Sequence, residues 1–206
     1  MAKKSAKKLE TVKFAPPFWG VARFPKLNKP DTEGEYADGK FKTDIVYEDE
    51  GELESIRDEM KAAWKKLLPD MPYDEDRTPF KNFTRKKKDG DKVEIIDDGY
   101  GIRAKSKNRP TVLDAKLQPV PASKIIGGGS VIRISGALAA YASTEKVKEN
   151  GKTKSVEVQG LTLYLNGLQV KKLVSGRDVS EDFEEEEGFE YEADEVAEDV
   201  DSAADL

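Results

Sequence analysis

The sequence predicts a mainly β protein, a small antiparallel barrel of about five main strands with one inserted α-helix. Residues 40–47 alternate between apolar and polar side chains, which is the period of a strand with one buried face. Residues 51–68 carry a helical apolar stripe, and the apolar runs at 131–141 and 156–174 contain glycines that bend strands. At 206 residues the chain has room for one such domain, which we place at 12–177.

The first strand-like stretch, residues 11–24, is interrupted by Pro16 and Pro17. Proline cannot donate to an interior ladder of hydrogen bonds, so we expect an edge strand that restarts after the prolines. A loop rich in Pro, Asp and Gly follows at 25–39 and leads into the alternating strand at 40–47.

The predicted helix begins among acidic residues, ends on two lysines and stops at Pro69, an arrangement that complements the helix dipole. We expect its apolar stripe, which includes Trp64, to pack on the sheet rather than to hold a cofactor. The polar segment 69–92 reads as a loop that holds the densest basic run, residues 85–88.

A hairpin-like pair is expected next, with a short strand at 93–96, a turn at 97–99 and an outgoing strand at 100–107. Three cations with a period of two, Arg103, Lys105 and Lys107, would then form a charged strip on one face of the outgoing strand.

Further strands are expected at 111–115, 131–141 and 156–174. Gly160 and Gly167 interrupt the last of these, and we expect them to mark bulges or barrel corners.

The last 29 residues, 178–206, carry 15 acidic side chains and no Lys or Arg. Residues 1–177 therefore hold 35 basic against 26 acidic side chains, a formal charge of +9, and residues 1–11 form a Lys-rich arm. A basic body tethered to a polyanion suggests a polyanionic ligand, nucleic acid, with the disordered tail competing for the same surface. The alternative is a tail that only solubilises the protein.

The composition argues against most enzymes. The chain has no Cys and no His, which removes thiolate nucleophiles, the commonest general base and the commonest transition-metal ligand. The glycines at 127–129 are not followed by the Gly-Lys-Ser/Thr of a phosphate loop. Glu94, Asp97 and Asp98 can be imagined around Mg²⁺, but Asp-Gly is ordinary turn chemistry. We therefore predict no enzyme, no metal and no cofactor.

The chain has no apolar region of the kind found in secretory signals and no run of 18 apolar residues, so we expect a soluble cytoplasmic protein without a membrane partner.

Sequence-independent binding of an unpaired strand needs cations that follow the phosphates and flat side chains on which bases stack. The candidate cations are Arg23, Lys42, Arg85, Arg103, Lys105, Lys107, Arg109, Arg133 and Lys171. The candidate stacking residues are Trp19, Tyr36, Tyr47, Phe83, Tyr100 and Tyr141.

Three stretches, residues 105–114, 128–133 and 160–170, resemble bacteriophage single-stranded DNA-binding proteins of the OB-fold type. The order of elements also resembles that family, with a strand pair, a helix, a basic strand, a Gly-rich strand entry, a closing strand and an acidic tail. An OB barrel is the five-stranded architecture that such proteins use to bind oligonucleotides.

The resemblance implies a protein that coats and anneals phage DNA strands in replication and recombination, in the cytoplasm of the infected host. It also implies a tail that recruits the phage polymerase and primase-helicase, and a possible homodimer. In several relatives the tail ends on an aromatic residue, whereas this chain ends on Leu206. The segment with the tail's aromatic residues is therefore an alternative docking element: Phe183, Phe189 and Tyr191.

Two other functions remain open from the sequence. One is a Mg²⁺-dependent nuclease that uses Asp97 and Asp98, and the other is a protein-interaction module that acts through the acidic tail.

Overall fold

The computed structural model describes residues 10–34, 37–89, 92–149 and 152–175. Side chains at 85–89, 92–96, 147–149 and 152 are outside this description. All described residues belong to one unit of the chain, which ends at Gly176.

The described chain folds into eight strands, one α-helix and a 3₁₀ turn at Glu75–Arg77. The elements are β1 (Thr11–Phe14), β2 (Gly20–Lys26), β3 (Phe41–Val46), α1 (Glu50–Leu67), β4 (Phe80–Asp89), β5 (Lys92–Ser106), β6 (Thr111–Leu113), β7 (Val131–Glu149) and β8 (Lys152–Lys172).

Five of the strands close a barrel. The ring runs β7–β2–β3–β5–β8 and returns to β7, with every pairing antiparallel except the parallel contact between β5 and β8, where Lys105 lies opposite Tyr164. β1 pairs with β7, and β6 pairs in parallel with β8. β4 pairs with residues 92–102 of β5. The closed five-strand ring confirms the OB-type barrel that the sequence predicts.

The helix also lies where the sequence predicts it. The Asp49 carboxylate caps the N-terminus by accepting from the Glu52 N–H at 2.9 Å. The apolar stripe is buried in the barrel core, and Trp64 is 2% exposed, with its indole N–H donating to the Met71 carbonyl.

The predicted loop and hairpin between residues 69 and 107 are wrong in two respects. The basic run at 85–88 lies in β4, not in a loop, and β5 continues through 97–99 without a turn. Asn82 pairs with Tyr100 while Thr84 pairs with Asp97, so β5 carries an extra residue at this point. Gly99 has a φ of +93°, and the Asp-Gly pattern therefore marks a bulge rather than a hairpin turn.

The two glycines of β8 have different roles. Gly167 lies at a bulge, since Ser135 pairs with Gly167 while Gly136 pairs with Leu165, as predicted. Gly160 stays in register and therefore marks no bulge. A Cβ at Gly160 would lie 2.4 Å from the Arg77 carbonyl oxygen, so the glycine allows the 3₁₀ turn to pack closely on β8.

Among the described residues, no helix is long and apolar enough to cross a membrane.

Candidate nucleic-acid interface

The strands β3, β5 and β8 carry a cationic groove on the outside of the barrel. It consists of two cavities of about 400 Å³ and 580 Å³ that share Arg103 and Lys105. We call the two cavities together the groove. Its other basic lining residues are Lys40, Lys42, Lys81 and Lys107.

The predicted cationic strip forms the floor of the groove. Ile102 and Ala104 are fully buried, so alternation turns Arg103 and Lys105 outward along β5. Lys107 follows just beyond the strand end and is exposed. The shared outward face is therefore confirmed for Arg103 and Lys105, while Lys107 lies beyond the strand and the role of the strip in binding stays a prediction.

The cations of the groove disfavour one another's charge. Burial lowers the pKa of Lys105, and the neighbouring Lys40 lowers it further. Burial likewise lowers the pKa of Lys81, and Arg103 contributes in the same direction. An anion in the groove would relieve both effects, because it favours the charged form of each lysine.

Three groove cations are paired with carboxylates: Arg103, Lys42 and Lys40, the last with Asp38 at 3.9 Å. The Arg103 guanidinium donates to both oxygens of Asp44 at 2.7 Å, a bidentate pair of the kind that phosphate also makes. The Lys42 ammonium lies 2.5 Å from Asp31 and 3.6 Å from Asp38, both in the loop between β2 and β3. Asp44 and the loop carboxylates thus occupy positions suited to phosphate oxygens.

Three aromatic residues reach the groove. Tyr141 is half-buried and lines the smaller cavity, as a predicted stacking residue should. The other two aromatic residues, Tyr164 and Phe24, were not among the predicted stacking residues. Tyr164 is 40% and Phe24 72% exposed. The alternation of Tyr164 with buried Leu163 and Leu165 was a usable signal for an outward side chain.

Phe24 has no comparable signal in the sequence. Its φ of +44° and a register shift between Arg23 and Lys26 place it outward, whereas alternation predicts that it shares the face of buried Ala22. The Arg23 guanidinium lies 5.2 Å from the Phe24 ring and is paired with Asp98. Arg23 is therefore a neighbour of the groove that already has a counterion.

Tyr47 and Phe83 were predicted to stack on bases, and both predictions are wrong. Tyr47 is 2% exposed in the core, because it continues the buried face of β3, and Phe83 is 7% exposed. The Phe83 ring instead makes cation–π contacts with two guanidinium groups, that of Arg103 at 5.7 Å and that of Arg23 at 5.9 Å.

Tyr100 is accessible but does not line the groove cavities. It is 37% exposed, and its ring stacks on Phe80 at 6.0 Å while the Arg57 guanidinium lies 5.4 Å from it. The structure therefore places Tyr100 beside a cation at another surface position.

Three further predicted residues gather in a separate cluster. The Arg133 guanidinium lies 4.8 Å and the Lys171 ammonium 5.7 Å from the ring of half-buried Trp19. We call these three residues the Trp19 cluster. Arg133 lines a cavity of about 350 Å³ that shares no lining residue with the groove. Another predicted cation, Arg109, is exposed between β5 and β6.

Several predicted residues lie outside the description. Tyr36 is not described, and neither is the tail with Phe183, Phe189, Tyr191 and Leu206. Arg85 is described only by its backbone in β4.

The two aspartates that suggested a metal site have other partners. The Asp97 carboxylate accepts from the Gly99 N–H at 2.9 Å, and Asp98 is paired with Arg23. Within the described parts of the chain, no three His, Cys, Asp or Glu side chains are grouped so that they would hold a metal ion.

Comparison with known proteins gives matches among solved structures alone; no protein-family model and no curated protein matches the chain. The structure of gp2.5, a single-stranded DNA-binding protein encoded by bacteriophage T7, matches with a TM-score of 0.44 and 17% identity, over 89% of this chain and 100% of that one. The single-stranded DNA-binding protein from bacteriophage Enc34 in complex with single-stranded DNA matches with a TM-score of 0.48 and 15% identity, over 83% of this chain and 97% of that one. The same Enc34 protein in a second structure gives a TM-score of 0.46 and 18% identity, over 84% and 90% of the two chains. The chain is similar to these proteins, and at such identities and scores the likeness assigns it no activity.

Proposed function

We propose that the protein binds single-stranded DNA without sequence preference, and that the strand lies in the groove. The observation that carries the proposal is the strip Arg103, Lys105 and Lys107, which lines the same cavity as half-buried Tyr141 and exposed Tyr164. Cations that track phosphates, together with aromatic faces that accept any base, are the two parts of a sequence-tolerant site for unpaired strands.

The groove lies on the face of the barrel at which OB folds generally bind their ligands. OB barrels bind oligonucleotides across the second and third strands of their ring, and β3 and β5 hold those places here, counting from β2. Duplex DNA hides its base faces in stacked pairs, so the aromatic residues would favour the unpaired strand.

The acidic tail completes the proposal. Its 15 carboxylates would compete in cis with DNA phosphates for the basic body, and a displaced tail would be free to bind basic partner proteins. We infer a role in coating strands during phage DNA replication and recombination, with polymerase and primase-helicase as the tail's partners.

The test is a fluorescence-anisotropy titration of labelled oligo-dT and a matched duplex at two salt concentrations. It uses the full chain and a chain that ends at Arg177. We expect both to prefer the single strand, the shortened chain to bind more tightly, and affinity to fall steeply with salt. If neither binds oligo-dT at low salt, the proposal fails. If only the full chain binds a basic protein and the shortened chain binds no DNA, the interaction-module alternative is supported instead.

Asp44 offers a second check, because it neutralises Arg103 at the centre of the groove. We expect Asp44→Asn to bind oligo-dT about threefold to tenfold more tightly at low salt, with a steeper salt dependence, because Arg103 would then bind a phosphate without giving up its carboxylate partner. Anisotropy at four or five salt concentrations measures both quantities. Asp58→Asn removes a carboxylate from an exposed ion pair on α1 and is the matched control. Equal affinities for Asp44→Asn and wild type would show that no phosphate competes with Asp44.

A further inference from the structure

The cations of the Trp19 cluster have no counterion among the described residues, unlike several cations in and beside the groove. Arg23, Lys42 and Arg103 are each paired with a carboxylate. Arg133 and Lys171 make no ion pair with any described residue. Two uncompensated cations on one tryptophan ring create a local positive potential that favours an anionic ligand.

Arg133 is also held in a fixed orientation. Its Nε donates to the Gln169 side-chain oxygen at 2.8 Å, and Gln169 is 8% exposed. The Gln169 amide donates in turn to the carbonyls of Asp114 and Ala115 at 3.0 and 3.1 Å. The terminal nitrogens of Arg133 have no hydrogen-bond partner among the described residues. These nitrogens are therefore hydrogen-bond donors that are available to a ligand, on a residue that lines a cavity.

The outer face of β8 connects the cluster with the groove. Before the bulge, Thr162 and Tyr164 point outward and the neighbouring leucines are buried. The bulge adds one residue to β8, so that after it Leu168 and Val170 are buried and Lys171 is exposed. The bulge thus keeps Tyr164 and Lys171 on one face, about 20 Å apart at about 3.3 Å per residue.

The link between β5 and β6 adds cations beside this face. Both strands pair in parallel with β8, at Tyr164 and at 167–169 respectively, so the link at 107–110 runs alongside it. Lys107 and Arg109 in the link are exposed. A row of cations therefore leads from the strip towards Lys171.

We propose that the Trp19 cluster is a second contact site for the phosphodiester backbone of the same single strand, which leaves the groove along the outer face of β8. Arg133 and Lys171 hold a phosphate there, and Trp19 supports the two cations. The inference rests on the proposed function, since it concerns the path of the strand that the groove binds. It goes beyond that function because it divides the interface into two sites. A short strand would occupy the groove alone, whereas a longer strand would also reach the Trp19 cluster.

The test uses the full chain and two labelled oligo-dT strands of about 4 and about 16 nucleotides, the limits of site size for one OB fold. The variants are Lys171→Gln and the double variant Arg133→Gln with Lys171→Gln. Lys65→Gln with Lys66→Gln removes two exposed helix cations and serves as the control. We expect the double variant to bind the long strand about tenfold more weakly and the short strand unchanged, with Lys171→Gln intermediate and the control like wild type.

Tryptophan fluorescence gives an independent readout, because the other tryptophan, Trp64, is buried in the core. The long strand should quench the emission of wild type but not that of Trp19→Phe, and the short strand should quench neither. Equally weakened binding of both strands, or unchanged binding of both, would overturn the inference while leaving binding in the groove intact. Quenching of Trp19 by polyglutamate but not by oligo-dT would also overturn it, in favour of an acidic peptide. If wild type binds neither strand, the proposed function fails first and the inference fails with it.

Discussion

Replacing Arg103 and Lys105 together by glutamine is expected to weaken binding of oligo-dT about 100-fold at low salt. The two residues are shared by both cavities of the groove, so any strand that lies in it passes both. A charge-assisted hydrogen bond contributes about 1.5 kcal/mol, and two of them correspond to roughly two decades in Kd. The salt dependence should also become shallower, by about 0.7 in log–log slope for each phosphate that the variant no longer neutralises.

Anisotropy titrations at several salt concentrations measure both effects. Lys65→Gln with Lys66→Gln changes the net charge by the same amount on the exposed face of α1 and is the matched control. Similarly weakened binding in both double variants would mean that the affinity for DNA depends on the net charge of the protein and not on the groove. Circular dichroism should show unchanged folding, since Arg103 and Lys105 point outward from β5.

Gly101→Ala is expected to lower the free energy of unfolding by about 3 kcal/mol, at the upper end of the range for overpacked sites. A Cβ at Gly101 would lie 1.8 Å from the Ile45 carbonyl oxygen and 2.8 Å from the carbonyl carbon. Both atoms belong to the backbone of β3, which cannot move away without disturbing its pairing with β5 and β2.

Urea denaturation followed by circular dichroism measures the change. Gly128→Ala is the control, because the nearest heavy atom to its added Cβ, the Ala22 carbonyl oxygen, lies 3.9 Å away. Equal unfolding midpoints for the two variants would contradict the close approach of β3 and β5 at Gly101.

Periodicity carried much of the prediction from sequence. The helix with Trp64 and the alternating strand before it are elements in which local pattern and tertiary burial agree. The same alternation correctly turned Arg103 and Lys105 to one face of β5. At these positions a residue's neighbours in the chain determine its environment.

The failures occur where the period of two is broken or where burial depends on distant residues. The bulge at Asp98–Gly99 looked like a turn, because Asp-Gly is typical of both. Phe24 points outward because of a local backbone irregularity that no pattern indicated. Tyr47 has the same residue type as exposed Tyr164, but it lies on the face of β3 that alternation marks as buried and that packs in the core of the barrel and helix.

The cations illustrate a further limit. Sequence alone ranks Arg23, Lys42 and Arg103 with Arg133 and Lys171 as equivalent positive charges. Three of them have carboxylate partners from distant parts of the chain, and two stack on Trp19 without a counterion among the described residues. Which charges are available to a ligand is therefore a property of the tertiary structure.

The most direct test of the central claim, that the strand lies in the groove, is lysine protection. The full chain is acetylated at low reagent concentration with and without saturating oligo-dT, and the modified lysines are quantified by mass spectrometry. We predict strong protection of the groove lysines Lys81, Lys105 and Lys107, with Lys65 and Lys66 on α1 unchanged. Protection of the helix lysines, with Lys105 and Lys107 still fully reactive, would contradict the account.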